Sequence, residues 1–203
     1  DKSDTVALSA INAIRKIDRE VNLPEDIHNR MKQLLDQEIK NLTDKSNVQQ
    51  EYAIKSLSRF DGVSSLVLDQ LLPLFEKKKI STSQFLRVLS GLGPLPEAAP
   101  YLKKILTRTN RRRTLSYALD AAISTGCQDI PVEKLRKDFE KFPRQAERIA
   151  RVLAGSKSRK SVIALADIII STADDTLAAR TNEQLKTIGE HGFPRSEEHT
   201  SEL

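Results

Sequence analysis

Four stretches of the sequence begin in a similar way, near residues 24, 62, 96 and 131, and each starts an amphipathic segment. The intervals between these starts are 38, 34 and 35 residues, and three of the four begin with an apolar residue and Pro, with Glu one or two residues later. Another amphipathic segment precedes each one, so the repeated unit is a pair of helices. Because one such pair cannot bury its own apolar faces, successive pairs must stack. We therefore predict an all-α fold, a right-handed α-solenoid of about five antiparallel helix pairs, irregular after residue 143.

The stretch 48–93 is one irregular unit of the repeat, and its second helix is its most informative part. Its second helix, predicted over 63–79, is apolar over more than half of its circumference, so we expect it to be covered on more than one side. Pro73 lies inside this helix and predicts a kink or a division. Ser81 and Gln84 then have the spacing of a capping box, which predicts the start of the next helix.

Apolar residues at helical spacing predict the remaining helices. Gly126 is expected to end one of them, because glycine adopts the left-handed backbone of a helix end. These helices are predicted at about 5–17, 24–42, 95–106, 115–125, 131–142, 144–154, 158–172 and 176–189.

Two segments carry a family resemblance: YAIKSLSRFD, from Tyr52 to Asp61, and LDAAISTG, from Leu119 to Gly126. Each resembles the first helix of a HEAT-type repeat, in which a small residue and a Leu or Ile pack beneath a polar turn. The resemblance covers residues 5–189 and implies an α-solenoid. The Trp and Gly-Tyr positions of tetratricopeptide repeats and the T-P-L-H segment of ankyrin repeats are absent.

Composition supports the helical class, since aromatic residues make up only 4% and Trp is absent. The single Cys127 excludes an internal disulfide framework and a cysteine-clustered zinc site, and it favours a reducing compartment. The longest apolar run, VIALADIII, is interrupted by Asp167. We therefore expect a cytoplasmic protein that does not insert into a membrane.

Both ends of the chain suggest a fragment of a longer protein. The sequence begins at Asp1, and residues 195–203 resemble a translated sequencing adapter. Without those nine residues the formal net charge rises from +5 to +7, since they hold one Arg and three Glu. We expect one solenoid domain over 1–192 and a disordered, non-native tail over 193–203.

No motif for catalysis or for metal binding is present. The sequence has no phosphate-binding glycine loop, no H-E-x-x-H, no cysteine pair and no G-x-S-x-G. His28 and His191 each lack a neighbouring ligand at i+4, and Cys127 is interpreted as a small buried filler, with a reactive thiol or a partner contact as the alternative. Acidic pairs at 25–26 and 174–175 are interpreted as helix caps. We predict no enzyme activity, no cofactor, no metal and no small-molecule ligand.

The charge is unevenly distributed. Residues 101–160 hold 16 Lys or Arg against 6 Asp or Glu, while Lys77 to Lys79 are interpreted as cations that complement a helix C-terminus. One interpretation places the excess on solvated faces and turns. The other is a positive ridge, formed where equivalent turns of stacked repeats align and facing an acidic protein or nucleic-acid phosphates. Its candidate residues are Lys104, Arg108, Arg111, Arg112, Arg113, Lys157, Arg159 and Lys160.

Two functions follow from these observations. The first is a non-enzymatic scaffold that binds another protein through the surface of successive repeats. The second is the binding of nucleic acid or an acidic partner through 101–160, which is the less favoured because only Tyr101 and Tyr117 are available there for base stacking. A DNA glycosylase of the HEAT-like type is disfavoured further, since such sites use an aromatic-lined groove.

Overall fold

The computed structural model describes residues 25 to 190 and the single residue Ala13. The described residues contain ten α-helices and no β-strand, which confirms the all-α class. The helix predicted over 5–17, apart from Ala13, and the tail predicted over 193–203 lie outside them. The helices are α1 Glu25–Leu42, α2 Asn47–Leu57, α3 Ser64–Glu76, α4 Thr82–Leu89, α5 Ala99–Arg108, α6 Arg112–Thr125, α7 Val132–Lys141, α8 Ala146–Ser156, α9 Arg159–Ser171 and α10 Asp175–Glu190.

Contacts between Cα atoms divide the chain into two compact units, Asp1–Cys127 and Gln128–Leu203. The first unit contains α1 to α6, and the second contains α7 to α10. Cys127 is buried, as predicted.

Short-range signals set several helix ends. The predicted capping box is present at α4: Ser81 Oγ accepts a hydrogen bond from the Gln84 N–H at 3.2 Å, and Gln84 Oε1 accepts one from the Ser81 N–H at 2.8 Å. Gly126 follows α6 with φ +66°, a backbone conformation that glycine adopts without steric cost. Asp174 caps α10 by accepting a hydrogen bond from the Leu177 N–H at 3.0 Å, as expected of that acidic pair.

Helix α3 runs through Pro73 without division and ends at Glu76. Pro73 lies in the last turn, so few backbone hydrogen bonds follow it, and the Lys77 N–H still donates to the Pro73 carbonyl at 3.1 Å. The cover on this helix is less complete than its apolar sequence suggests. One face is buried through Ser64, Val67, Leu68 and Leu71, while Leu66, Leu72, Leu74 and Phe75 are half-buried.

In the first unit, α1 packs on α2, α3 on α4 and α5 on α6, and the next-but-one contacts are α1 with α3, α2 with α4 and α4 with α6. The ends of α2 and α4 approach closely at Gly91, where an added Cβ would lie 2.3 Å from Ser58 Cβ. Packing therefore requires glycine at residue 91. Elsewhere in this unit, the Leu95 N–H donates a hydrogen bond to the Thr125 carbonyl at 3.0 Å and joins the loop before α5 to the end of α6.

In the second unit each helix packs on the next, and α7 also packs on α9 and α8 on α10. Its core is mainly aliphatic and includes Leu135, Ile149, Leu153, Leu165 and Ile168. The three helices predicted after residue 143 are confirmed, with each end within two residues of its predicted position.

Candidate functional site

A cleft of about 1080 Å³ opens in the first unit between two parts of the chain. One wall is formed by residues 75–83, the end of α3 and the start of α4. The other is formed by residues 101–114, which include α5 and the start of α6. We call this feature the basic cleft, because five cationic side chains line it: Lys78, Lys79, Lys104, Arg108 and Arg111.

The charge of the basic cleft is not neutralised by its own residues. Among the described lining residues the only carboxylate is Glu76, so five cations against one anion leave a net charge of +4. All five cations are exposed, and none forms an ion pair with any residue between 25 and 190. Like charges held this close repel one another, so the basic cleft attracts an anion.

The end of α3 brings two lysines into the basic cleft. The Lys79 N–H donates to the Leu74 carbonyl at 2.8 Å and the Lys78 N–H to the Phe75 carbonyl at 3.0 Å, which is the hydrogen-bond pattern of a Schellman motif. Lys78 occupies the left-handed position of this motif, with φ +55°. Glycine or asparagine is usual there, and a residue with a bulkier side chain is disfavoured by about 1 kcal/mol.

Helix α5 supplies two further cations from one face. Tyr101, Lys104, Ile105 and Arg108 all line the basic cleft, and their spacing of three or four residues places them along one side of the helix. Leu102 and Leu106 are fully buried. Burial of these leucines therefore fixes the direction in which Lys104 and Arg108 project.

The start of α6 closes this wall with Arg111 and Thr114. Arg111 is the N-cap residue of α6, with an extended backbone, and no side chain caps this end of the helix. The first-turn N–H groups of a helix point toward its N-terminus, where they carry partial positive charge. They add to the positive potential at the mouth of the basic cleft.

Hydroxyl groups lie among the cations. Thr82 and Ser83, at the start of α4, and Thr114, at the start of α6, are half-buried lining residues. Within the described part of the chain their hydroxyls have no hydrogen-bond partner. A hydroxyl can donate one hydrogen bond, so these three groups are available to an anionic ligand.

Arg112 and Arg113 are not part of the basic cleft, although both were predicted site residues. Arg112 is exposed. Arg113 Nε donates to Tyr117 Oη at 3.3 Å, and its guanidinium lies 5.8 Å from the centre of that ring. The three consecutive arginines therefore have different surroundings, and only Arg111 lines the basic cleft.

Tyr117 is also close to a second arginine, Arg87, which links three helices. Arg87 of α4 lies 5.9 Å from the centre of the Tyr117 ring and forms a bidentate ion pair at 2.6 Å with Glu51 of α2. The hydrogen bond from Arg87 lowers the pKa of Glu51, and the same bond raises the pKa of Arg87. Arg87 is thus a paired cation that joins α2, α4 and α6.

Lys157, Arg159 and Lys160 lie in the second unit, where α8 turns into α9, and all three are exposed. Lys157 has a left-handed backbone with φ +50°, and Ser158 caps α9 by accepting a hydrogen bond from the Ser161 N–H at 3.1 Å. The predicted ridge joins this turn to residues 108–113, which belong to the first unit. That ridge stays a prediction.

The sequence interpretation missed Lys78 and Lys79, which were taken only as a complement to the C-terminus of α3. A signal for them was present, because α3 and α5 are both second helices of predicted pairs. The turns that follow them, 77–81 and 109–111, are therefore equivalent turns of successive repeats, and such turns lie on the same edge of a stack. Applied to both turns, this rule predicts a shared basic surface.

No protein-family model, curated protein or solved structure matches this chain. In the described part of the chain, no three His, Cys, Asp or Glu residues are grouped as a metal site. None of the ten helices combines the length and the apolar character that crossing a membrane requires. The function proposed below therefore rests on the basic cleft itself.

Proposed function

We propose that the chain is a non-enzymatic helical-repeat scaffold, a right-handed HEAT-like α-solenoid, that binds another protein by holding an acidic segment of it in the basic cleft. The observation that carries this proposal is the set of five cations that line one cleft without an ion pair. Unpaired cations in a concave site attract an anionic partner and orient it.

The packing of the helices supports the repeat arrangement. A helix contacts the next-but-one helix at α2 with α4 and α4 with α6 in the first unit, and at α7 with α9 and α8 with α10 in the second. Contacts of this kind are expected where corresponding helices of successive pairs stack side by side.

A protein segment fits the basic cleft better than a nucleic acid does. Of the apolar residues that line the cleft, Ile80 and Ile105 are buried, whereas the half-buried Phe75 leaves an apolar side chain of a partner a surface to contact. Tyr101 and Phe75 are the aromatic lining residues within the described chain, and Phe75 is already stacked on Phe85 with ring centres 4.3 Å apart. Binding of unpaired bases uses several aromatic platforms in succession.

The lining also favours binding over catalysis. The described lining residues include no His and no Cys, and Glu76 has no second carboxylate beside it. General acid–base or nucleophilic chemistry needs a pair of such groups within hydrogen-bond distance. The cytoplasmic location stays a prediction from the sequence.

The test compares two triple variants of the full chain with equal changes in charge. The cleft variant is Lys79→Glu, Lys104→Glu and Arg111→Glu, and the flank variant is Lys77→Glu, Lys103→Glu and Arg112→Glu. Each flank residue lies within two positions of a cleft residue but does not line the cleft. Fluorescence anisotropy measures the binding of a labelled Asp- and Glu-rich dodecapeptide and of a single-stranded oligonucleotide, at about 50 to 300 mM NaCl.

We expect the acidic peptide to bind the parent chain, with affinity falling as salt increases. The cleft variant should bind about 100-fold more weakly, because three charge-assisted contacts become repulsive. The flank variant should lose less than about 5-fold. Equal losses in both variants would contradict the proposal, and tighter binding of the oligonucleotide than of the peptide would favour the nucleic-acid function instead.

A further inference from the structure

We infer that the acidic segment held in the basic cleft is phosphorylated, and that the cleft recognises two phosphoserine or phosphothreonine side chains lying close together. This inference rests on the proposed function, since it specifies the chemistry of the partner at the same site. Its basis is the combination of concentrated cationic charge, unpaired hydroxyl donors and open backbone N–H groups on the walls of one cleft.

The amount of charge in the basic cleft matches two phosphoryl groups. The lining carries a net charge of +4. Each phosphoryl group carries about −1.5 to −2 near neutral pH, so two of them match this charge. Carboxylates carry one charge each, so four would have to enter the same cleft. Two phosphoryl groups therefore neutralise the site with fewer ordered side chains.

The kind and number of hydrogen-bond donors in the basic cleft also favour phosphoryl groups. Arg108 and Arg111 have planar guanidinium groups, which bind phosphate oxygens in a bidentate manner, while Lys78, Lys79 and Lys104 act as point charges. The hydroxyls of Thr82, Ser83 and Thr114 add neutral donors. A phosphoryl group offers three terminal oxygens, each with more than one lone pair, and so uses a denser set of donors than a carboxylate does.

The backbone at the start of α6 adds further hydrogen-bond donors to the basic cleft. Arg111 and Thr114 line the basic cleft, and the helix between them begins without a side-chain cap. The N–H groups of this first turn are therefore open to an anion beside the two side chains. They reinforce a site that the cations and hydroxyls already define.

The conformation of Lys78 provides a matched control for testing its role in binding. A lysine at φ +55° is disfavoured relative to glycine, yet its side chain adds one of the five charges to the cleft. Lys157, at φ +50° in the second unit, has the same backbone conformation and does not line the cleft. The two residues therefore form a matched pair in which backbone strain is equal and only Lys78 contributes to the site.

The first experiment uses peptides of one length and the full chain. A doubly phosphorylated peptide, with two phosphoserines separated by one residue, is compared with its unphosphorylated form and with a version in which four Glu residues match its charge. A short oligothymidylate with four phosphodiesters provides the same charge on a nucleic-acid backbone. Anisotropy competition measures all four ligands near neutral pH.

We expect the doubly phosphorylated peptide to bind at least about 30-fold more tightly than the four-Glu peptide, because the donor set favours phosphoryl oxygens over carboxylates. Equal binding of these two peptides would overturn the inference while leaving the proposed function intact. If the oligothymidylate bound as tightly as the doubly phosphorylated peptide, the phosphoprotein assignment would fail. Absence of binding by every peptide would end both proposals.

The second experiment separates binding from folding through the two lysines. Lys78→Gly should weaken binding of the doubly phosphorylated peptide about 5-fold while raising the melting temperature, because it removes one charge and the strained backbone together. Lys157→Gly should raise the melting temperature similarly and change the binding by less than about 1.5-fold. Equal effects of the two variants on affinity would remove Lys78 from the site and contradict the inference.

Discussion

The two units of the chain are both rich in Lys and Arg but use them differently. In the second unit, five cations are paired with carboxylates: Lys134 with Asp138, Arg136 with Asp167, Arg151 and Arg180 with Glu147, and Lys186 with Glu183. Its other cations without an ion pair among the described residues do not line a common cleft: Lys137, Lys141, Arg144, Lys157, Arg159 and Lys160. In the basic cleft of the first unit, within the described chain, five cations have no ion pair. The number of charges along a sequence therefore does not indicate which of them can bind a ligand.

The difference has an energetic meaning. Removing a paired cation lowers the stability of its own unit, by a small amount at the surface and by more where the partner carboxylate is left buried. An unpaired cation near others of the same sign lowers the stability of the free protein and becomes favourable only when an anion binds. We therefore expect neutralisation of a paired cation to destabilise its unit, and neutralisation of a cleft cation to leave the stability unchanged or higher.

The largest effect is expected at the buried pair of the second unit. Lys134 Nζ lies 2.6 Å from Asp138 Oδ1 and 2.5 Å from Oδ2, and the Asp138 side chain is only 3% exposed. Lys134→Met leaves this carboxylate buried without its cation and should lower the free energy of unfolding by about 2 to 3 kcal/mol, measured by urea denaturation. Arg136→Met, at a pair whose side chains are 49% and 41% exposed, is the control and should cost less than about 0.5 kcal/mol. Equal losses in both variants would contradict the distinction between buried and surface pairs.

A smaller effect of opposite sign is expected at the two left-handed lysines. Lys78→Gly and Lys157→Gly should each raise the free energy of unfolding by about 1 kcal/mol, because glycine adopts this backbone without a steric cost. Differential scanning calorimetry measures the change. A loss of stability in either variant would show that the lysine side chain contributes more to folding than its backbone strain takes away.

Neutralisation of two cleft cations tests the repulsion directly. Lys104→Gln with Arg108→Gln should leave the free energy of unfolding unchanged or raise it by up to about 0.5 kcal/mol at low salt, because two like charges are removed from the cleft. The gain should disappear at high salt, where such charges are screened. A clear loss of stability at low salt would mean that these cations are already stabilised by the fold.

The smallest effect is expected at the paired cation of the first unit. The folded-state pKa of Glu51 lies below its ordinary value of 4.5, so the pair with Arg87 adds stability above pH 4.5, and this stability is lost as the pH falls through the folded pKa. The Glu51 side chain is 51% exposed, so solvent screening limits the contribution to a few tenths of a kcal/mol. The parent chain should exceed Glu51→Gln in stability by this amount at neutral pH and lose the advantage in acid. A constant difference across the titration would contradict the role of the ion pair.

Local features of the fold could be predicted from the sequence. The capping box of Ser81 and Gln84 and the helix end at Gly126 depend on residues within a few positions of each other, so their spacing identifies them. The helices after residue 143 were likewise placed by their apolar periodicity. The effect of Pro73 on its helix was harder to predict, because it depends on how many helical residues follow Pro73 and on how the helix is packed.

Only part of the basic cleft could be predicted from the sequence, for a related reason. Lys104, Arg108 and Arg111 belong to a visible excess of charge, whereas Lys78 and Lys79 precede it by more than 20 residues and join it only through helix packing. Pairing is also invisible in a count of residues, since Arg87 is neutralised by Glu51 from another helix. The side chains that a fold leaves unpaired depend on contacts between distant parts of the chain.

The most direct test of the account maps the bound peptide on the full chain. An isotope-labelled protein is titrated with the acidic dodecapeptide, and the backbone amide shifts are followed by two-dimensional NMR. The account predicts that the largest shifts fall in 75–83 and 101–114, the two walls of the basic cleft, and that the second unit changes little. Largest shifts at 157–160, or shifts spread evenly over both units, would contradict it.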